Sequence, residues 1–325
     1  MNEINILILS AGRRVELVQC FQKAAKKLNV KSNIVAGDCS NTAPALYFAD
    51  RTYNLPRIFE PNYIGAIIDA CNQENISLVV PTIDTDLLLL AENKSFIEEK
   101  TNAKVLISDY KVIEICRDKI NTQKYLEDNG FGIPKMYTDE EIRTGNLKFP
   151  LFIKPKSGSS SINIFKVKNN NELNIYKDIV NDPIIQDFME GEEFTVDVFL
   201  DFDSNIISIV PRLRIATRSG EISKGKIIRD REIIDDVTKL MNVLKPIGHI
   251  TVQLMKTDKG IEYIEINPRF GGGAPMSIMS GADSSENLFR LLMGEKLEYN
   301  ENYKDNLTFL RFDSSICLDE NMELL

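Results

Sequence analysis

Between Ile4 and Ile107 short apolar runs alternate with amphipathic stretches of helical length, and no other feature of the chain restricts its fold so strongly. Ile4–Leu9, Ser32–Ala36, Ile76–Val80 and Val105–Ile107 read as buried strands, and Val15–Leu28, Asn62–Asn75 and Thr85–Lys100 as helices. Parallel strands cannot be joined by tight turns, so each pair needs a crossover, usually helical. The rhythm therefore predicts a doubly wound parallel sheet. Ligands of such sheets bind beyond the carboxyl ends of the strands. There the sequence places Ser10-Ala11-Gly12-Arg13-Arg14, Asp38 and Thr82-Ile83-Asp84-Thr85-Asp86. The first loop has one glycine where a dinucleotide fingerprint has three, which argues against an NAD(P) oxidoreductase. Arg13 and Arg14 read either as holders of a substrate carboxylate or phosphate at a helix N-terminus, or as a solvated first turn. Asp84 and Asp86 read equally well as caps of the next helix.

A chain of 325 residues has room for two or three domains with their own cores. A net charge of −9 argues against generic binding to nucleic acid or an anionic membrane, while local basic clusters leave anionic substrates open. No apolar run approaches a membrane span, and the first residues lack the zones of a signal peptide. The five cysteines are scattered and lack Cys-x-x-Cys spacing, the pattern of reduced thiols in a cytoplasm rather than of disulfides or a zinc site. The single histidine, His249, reads as structural, and with no nucleophile elbow beside it hydrolase chemistry is set aside.

Asp109–Cys116 and Lys119–Asn129 read as helices, the second closed by Gly130 and Gly132. Strands Leu151–Lys154 and Ile162–Val167 flank a loop of small residues, Pro155 to Ser161. Such a loop is either an ordinary hairpin connection or a run of backbone N–H groups for phosphate oxygens. It is not a P-loop. Pro183 to Phe194 leads into an alternating strand, Thr195–Leu200, and reads as a simple turn or as an adenine slot with a carboxylate for the ribose. The charges of Val210–Arg214 and Ser223–Lys226 either serve the same region or decorate solvated strands. Ser277–Gly294 reads as one helical segment with Leu288, Leu291 and Leu292 buried, and Leu307–Leu318 as a closing strand.

Residues 251–273, TVQLMKTDKGIEYIEINPRFGGG, read as strands Ile250–Met255 and Ile261–Asn267 joined by a turn at Asp258-Lys259-Gly260. A turn centred on Lys259 sets Gln253 opposite Glu265. Glu265, Asn267 and Arg269 then share a face with Gln253, while Ile264 and Ile266 point away. A carboxylate and two amide oxygens suit a hard cation such as Mg²⁺, which takes the rest of its shell from water and phosphates. The alternative is an ordinary amphipathic hairpin with a polar face, although nothing structural demands the order Glu-x-Asn-Pro-Arg followed by three glycines.

The order of these segments resembles the ATP-grasp superfamily over almost the whole chain, and within it the short proteins similar to half of a carbamoyl-phosphate synthase large subunit. The resemblance implies an α/β and α+β protein: an N-terminal Rossmann-like parallel-sheet (pre-ATP-grasp) domain, residues 1–112, followed by a two-subdomain ATP-grasp fold. The small or lid subdomain would span residues 113–185, and the large subdomain with the metal site residues 186–325. Lys119 and Lys154 match the nucleotide-binding lysines, and Ser157, Gly158, Ser159, Ser160 and Ser161 the flexible lid over the phosphates. Gln186, Asp187, Phe188 and Met189 match the adenine segment, although Gln186 stands where Glu is common and Asp187 where a basic residue is frequent. Glu193 matches the ribose carboxylate. Gln253, Glu265 and Asn267 match the metal ligands, with Glu265 bridging two ions, and Arg269 the arginine that steadies the transferred phosphoryl group. Arg212, Arg214, Gly271, Gly272 and Gly273 are expected to face the acceptor substrate, with Arg13 contributing from the first domain.

The activity implied is a cytoplasmic ATP-dependent carboxylate–amine ligase, using ATP and Mg²⁺ (or Mn²⁺), acting on small molecules through an acyl phosphate. Lys154, Glu265 and Arg269 would be its catalytic residues. A homodimer is a habit of related folds. The competing expectations are a carbamoyl-phosphate-synthase-type phosphorylation of a small carboxylate, and a nucleotide-binding regulatory protein without turnover.

Overall fold

The computed structural model describes residues 3–156 and 163–325. The first sheet comprises β1 (Asn5–Leu9), β2 (Ile34–Asp38), β3 (Arg51–Asn54), β4 (Ile76–Val80) and β5 (Lys104–Val105), all parallel, in the order β3-β2-β1-β4-β5. Helices α1 (Val15–Lys27), α2 (Tyr63–Gln73) and α3 (Leu87–Lys100) cover its faces. Every residue of β1 is buried, and successive side chains divide between two cores. Ile6 and Ile8 pack with α1, Leu7 and Leu9 with α2 and α3. The strand order reverses between β1 and β4, so the crevice beyond those two strands is the natural ligand edge. Strand β3, with no buried side chain to announce it, was not legible as a strand.

Two helices follow, α4 (Tyr110–Arg117) and α5 (Lys119–Asp128), and then a smaller unit. Its elements are α6 (Asp139–Thr144), β6 (Leu151–Pro155), β7 (Phe165–Val167), α7 (Asn170–Ile179) and β8 (Pro183–Asp187). The three strands form an antiparallel sheet in the order β7-β6-β8. The expected boundary after residue 185 falls inside β8, and the boundary after residue 112 falls inside α4. Leu126 of α5, Phe131 and Ile133 pack into the core of the large sheet rather than of the small one. The small unit thus begins later than expected and ends with β8.

The remaining elements are β9 (Gly191–Leu200), β10 (Ile206–Arg218), β11 (Glu221–Ile227), α8 (Arg231–Leu244), β12 (Gly248–Thr257), β13 (Gly260–Asn267), α9 (Ala274–Ser280), α10 (Ser284–Leu292) and β14 (Thr308–Leu310). Six strands make an antiparallel sheet, β13-β12-β9-β10-β11-β14. Helix α8 lies on one face of it and buries Ile233, Ile234, Val237, Leu240, Met241 and Leu244, a helical spacing, with Asp230 accepting from the Ile233 N–H at its start. The expected single helix over Ser277–Gly294 is two, broken at Gly281, whose φ of 116° no side-chain-bearing residue adopts without strain. Leu288 is buried there and Leu291 and Leu292 are half-buried. The closing strand is confined to Thr308–Leu310.

The β12–β13 hairpin has the expected pairing by an unexpected route. Gln253 lies opposite Glu265, but the turn holds two residues, Asp258 and Lys259, with Thr257 facing Gly260. A bulge between Gln253 and Leu254 leaves Ile264 as the extra residue, and this shifts the open half of the hairpin back into the expected register.

Candidate active site

In β12 and β13 alternate side chains enter the core: Val252, Leu254 and Ile266 are buried with α8. The other face carries Gln253, Glu265 and Asn267. Pairing extends this face sideways, Gln253 to Thr195 on β9 and Thr195 to Arg212 on β10. On it, Arg214 Nε lies 3.0 Å from a carboxylate oxygen of Glu193, which also accepts from the Gln253 amide. Asn267 donates to Glu265 at 2.9 Å. These placements bring the metal and ribose candidates Gln253, Glu265, Asn267 and Glu193 together.

The small sheet supplies the opposing groups. Leu151, Ile153 and Ile185 pack into its core, so Phe152, Lys154, Ile184 and Gln186 occupy the opposite face. Lys154 is 5% exposed. Among the described residues no carboxylate lies within 4.0 Å of its amine, and burial, followed by the nearby charge of Lys119, pulls its pKa down to about 8 against the pull of Glu265. Lys119 starts α5, where Asp118 accepts from the N–H groups of Ile120 and Asn121 at 2.8 and 2.9 Å. Its amine donates to the Pro155 carbonyl at 2.9 Å, which seats it at the end of β6 beside Lys154. Two lysines therefore face one carboxylate, Glu265, with no compensating acid for Lys154, an arrangement with room for further negative charge.

In the adenine segment, Gln186 is 1% exposed, and its amide oxygen has no partner among the described residues. Asp187 turns away to accept from the Tyr137 hydroxyl at 2.8 Å. Phe188 lies under the Lys166 amine, 3.7 Å from the ring centre, and Met189 is half-buried. Ser157 to Ser161, the expected lid, lie outside the described residues.

The acceptor candidates fare differently. Arg212 is 1% exposed and donates to Asp197 at 3.0 Å, inside a group completed by Ser277 and His249. That makes it a core residue, and His249, stacked on Phe270, is structural as expected. Arg13 is three-quarters exposed, whereas Arg14 turns inward to Glu221 at 3.3 Å. Gly271, Gly272 and Gly273 do not leave open space. A Cβ on Gly271 would meet Thr251, on Gly272 would lie 2.6 Å from Arg14, and on Gly273 would overlap the Arg212 guanidinium. The glycines admit the protein's own side chains.

Arg269 follows β13 and is bound to Asp84, its Nε at 3.0 Å from Oδ1 and its Nη2 at 2.7 Å from Oδ2. The capping reading of Asp84 and Asp86 fails, since neither side chain caps the helical turns that follow. Asp86 instead lies buried and accepts from Ser10 at 2.7 Å, with its pKa pushed up to about 6 by burial. Sequence reasoning missed Asp197 and Glu221 altogether, and with Glu221 its second arginine partner, Arg311, at 3.3 Å; only proximity in the fold reveals them.

Residues 6–106 match the PylC-like N-terminal domain family, and residues 116–273 match the ATP-grasp domain family. A D-alanine–D-alanine ligase of Francisella tularensis subsp. novicida (strain U112) is 29% identical over 185 residues, 52% of this chain and 62% of that protein. The match thus spans less than two thirds of the curated relative. A carbamoyl-phosphate synthase of Methanobrevibacter smithii is 22% identical over 143 residues, 42% of this chain and 39% of that protein. Among solved structures, the biotin carboxylase domain of the Hydrogenobacter thermophilus 2-oxoglutarate carboxylase, with MgADP, ADP and bicarbonate, superposes with a TM-score of 0.72 at 18% identity, over 95% of this chain and 74% of that one. The two family matches thus give the chain an ATP-grasp domain, residues 116–273, preceded by a PylC-like N-terminal domain.

Proposed function

We propose that the chain is an ATP-dependent carboxylate–amine ligase that releases ADP and phosphate. The observation that carries this reading is the seating of Lys119 beside Lys154 at the end of β6, both within reach of the charge of Glu265, with Gln253 and Asn267 beside Glu265 on the hairpin and Arg269 just beyond it. The kinship with a D-alanine–D-alanine ligase supports it.

A carboxylate is a poor electrophile, because its charge repels nucleophiles and oxide is a bad leaving group. A carboxylate oxygen attacking the γ-phosphorus of ATP displaces ADP and gives an acyl phosphate. An amine then attacks the carbonyl carbon, phosphate departs and the amine gives up a proton. This chemistry asks the protein for positioning and charge neutralisation rather than for a covalent nucleophile. Lys154 and Lys119 hold phosphate oxygens, Glu193 the ribose, and Arg269 the phosphoryl group in flight. Glu265 and the amide oxygens of Gln253 and Asn267 form a hard oxygen donor set that would hold Mg²⁺, which would add charge neutralisation at the phosphates. With one histidine in the chain, held in the core, a Ser-His or Cys-His route has no base.

The test is hydroxamate formation from MgATP, hydroxylamine and a panel of amino acids and other carboxylates, with Lys154→Ala and Glu265→Ala as controls. Hydroxylamine intercepts an acyl phosphate whatever the natural amine is. Hydroxamate from wild type alone establishes the reaction and names the acid. A Glu265→Ala protein with a tenth or more of wild-type rate would remove the metal assignment.

A further inference from the structure

A guanidinium has five N–H donors. In Arg269 two of them, on Nε and Nη2, are committed to Asp84, 185 positions away in sequence, and a third, on Nη1, to the Phe270 carbonyl at 3.3 Å. Among the described residues the two that remain are without a partner and lie one on each terminal nitrogen, the fork that takes two oxygens of a single phosphoryl group. Asp84 reaches this position from the loop beyond β4, at the point where the strand order of the first sheet reverses. Arg117 lies 4.0 Å from Asp84, and Arg14 is close enough to Arg269 to repel it. The pair is shielded but not sealed, with side chains 13% and 17% exposed.

We propose that Asp84 is a positioning residue for Arg269: the N-terminal domain reaches into the ATP-grasp site and fixes the guanidinium so that its two remaining donors meet the transferred phosphoryl group. The inference rests on the reading that Arg269 contacts that group. It gives the first domain a part in the chemistry that neither family match assigns to it. An arginine ordered before the reaction need not be ordered during it, which is what preorganisation contributes to a charged transition state.

Calorimetry with MgADP, and with MgADP plus aluminium fluoride as a stand-in for the phosphoryl group in flight, separates the two claims. Wild type binds more tightly with fluoroaluminate, and Arg269→Ala loses that gain. Asp84→Asn loses about 10- to 100-fold of it, the range for hydrogen bonds to a charged group, with MgADP affinity unchanged. Asp84→Glu restores part of the gain, and Asp84→Asn combined with Arg269→Ala is no worse than Arg269→Ala alone. Full gain in Asp84→Asn, or losses that add in the double variant, would overturn the positioning role while leaving the ligase reading intact. So would a loss of MgADP affinity in Asp84→Asn, which marks a structural part. No gain in wild type, or full gain in Arg269→Ala, would remove the phosphoryl reading of Arg269 and the inference with it.

Discussion

Two arginine–aspartate pairs lie near one another in this fold and have different work. Arg212 and Asp197 sit on adjacent strands of one sheet, each 1% exposed in its side chain, and Asp197 also accepts from Ser277 and faces His249. Burial alone would raise the pKa of Asp197, yet Arg212, His249 and Ser277 hold it well below the usual carboxylate range. Arg269 and Asp84 instead join two domains across a partly open seam and leave donors unused. A pair enclosed on all sides serves the core, whereas a pair left partly open at a ligand edge is placed where a substrate can reach it.

Stability separates them most strongly. Asp197→Ala leaves Arg212 charged and unpaired in the core, which costs about 3–5 kcal/mol. Asp84→Ala frees an arginine that can turn to water, and the loss falls to about 1 kcal/mol or less. Denaturant midpoints of the two variants measure this directly, and equal losses would erase the distinction. Turnover sorts them the other way. Arg269→Ala removes a charge-stabilising donor pair, and an effect of about 10²–10³ in kcat is the scale for such groups. Hydroxamate assays should find that loss beside a melting temperature close to wild type.

The sequence made one of these pairs readable only by half. Arg269 stands in Glu-x-Asn-Pro-Arg and could be singled out from its neighbours, but nothing local indicates Asp84 as its partner, because the contact is made by two domains folding together. The alternation of the first 107 residues was legible, since parallel strands buried on both faces leave continuous apolar runs. Helix α8 was legible too and was overlooked: Asp230 before Ile233, Ile234, Val237, Leu240 and Met241 is a capped, apolar-striped pattern. The bulge at Ile264 was not, because a bulge is set by what the neighbouring strands require. For the same reason Arg212 could not be told from a substrate ligand until its bond to Asp197 on the neighbouring strand was seen.

Neighbouring glycines sharpen the contrast on a smaller scale. A methyl on Gly273 meets the guanidinium of Arg212, which is locked to Asp197 and cannot retreat, so Gly273→Ala should cost about 1–3 kcal/mol by overpacking. A methyl on Gly272 meets the far end of Arg14, whose side chain is 19% exposed and can swing outward. Gly272→Ala should therefore be the milder variant in thermal melts. The reverse order would mean that Arg14, not Arg212, is the rigid arginine.

Lys154 completes the comparison as a buried cation with no acid of its own. Arginine keeps its proton at any accessible pH, whereas a buried lysine can surrender it. The depressed pKa of about 8 fixes the signs. An unfolded lysine holds its proton to about 10.4, so between the two values the unfolded chain binds more protons and this group's contribution to stability rises with pH. Catalysis runs the opposite way, since phosphate oxygens need the charged amine, and turnover should fall as pH passes 8. Phosphates brought by MgATP favour the charged form and should shift that fall upward when ATP saturates. Lys154→Met keeps the volume, discards the charge and should flatten the stability rise between pH 8 and 10. If stability and turnover fell together over that interval, the amine would be neither desolvated nor the cation that the phosphates need.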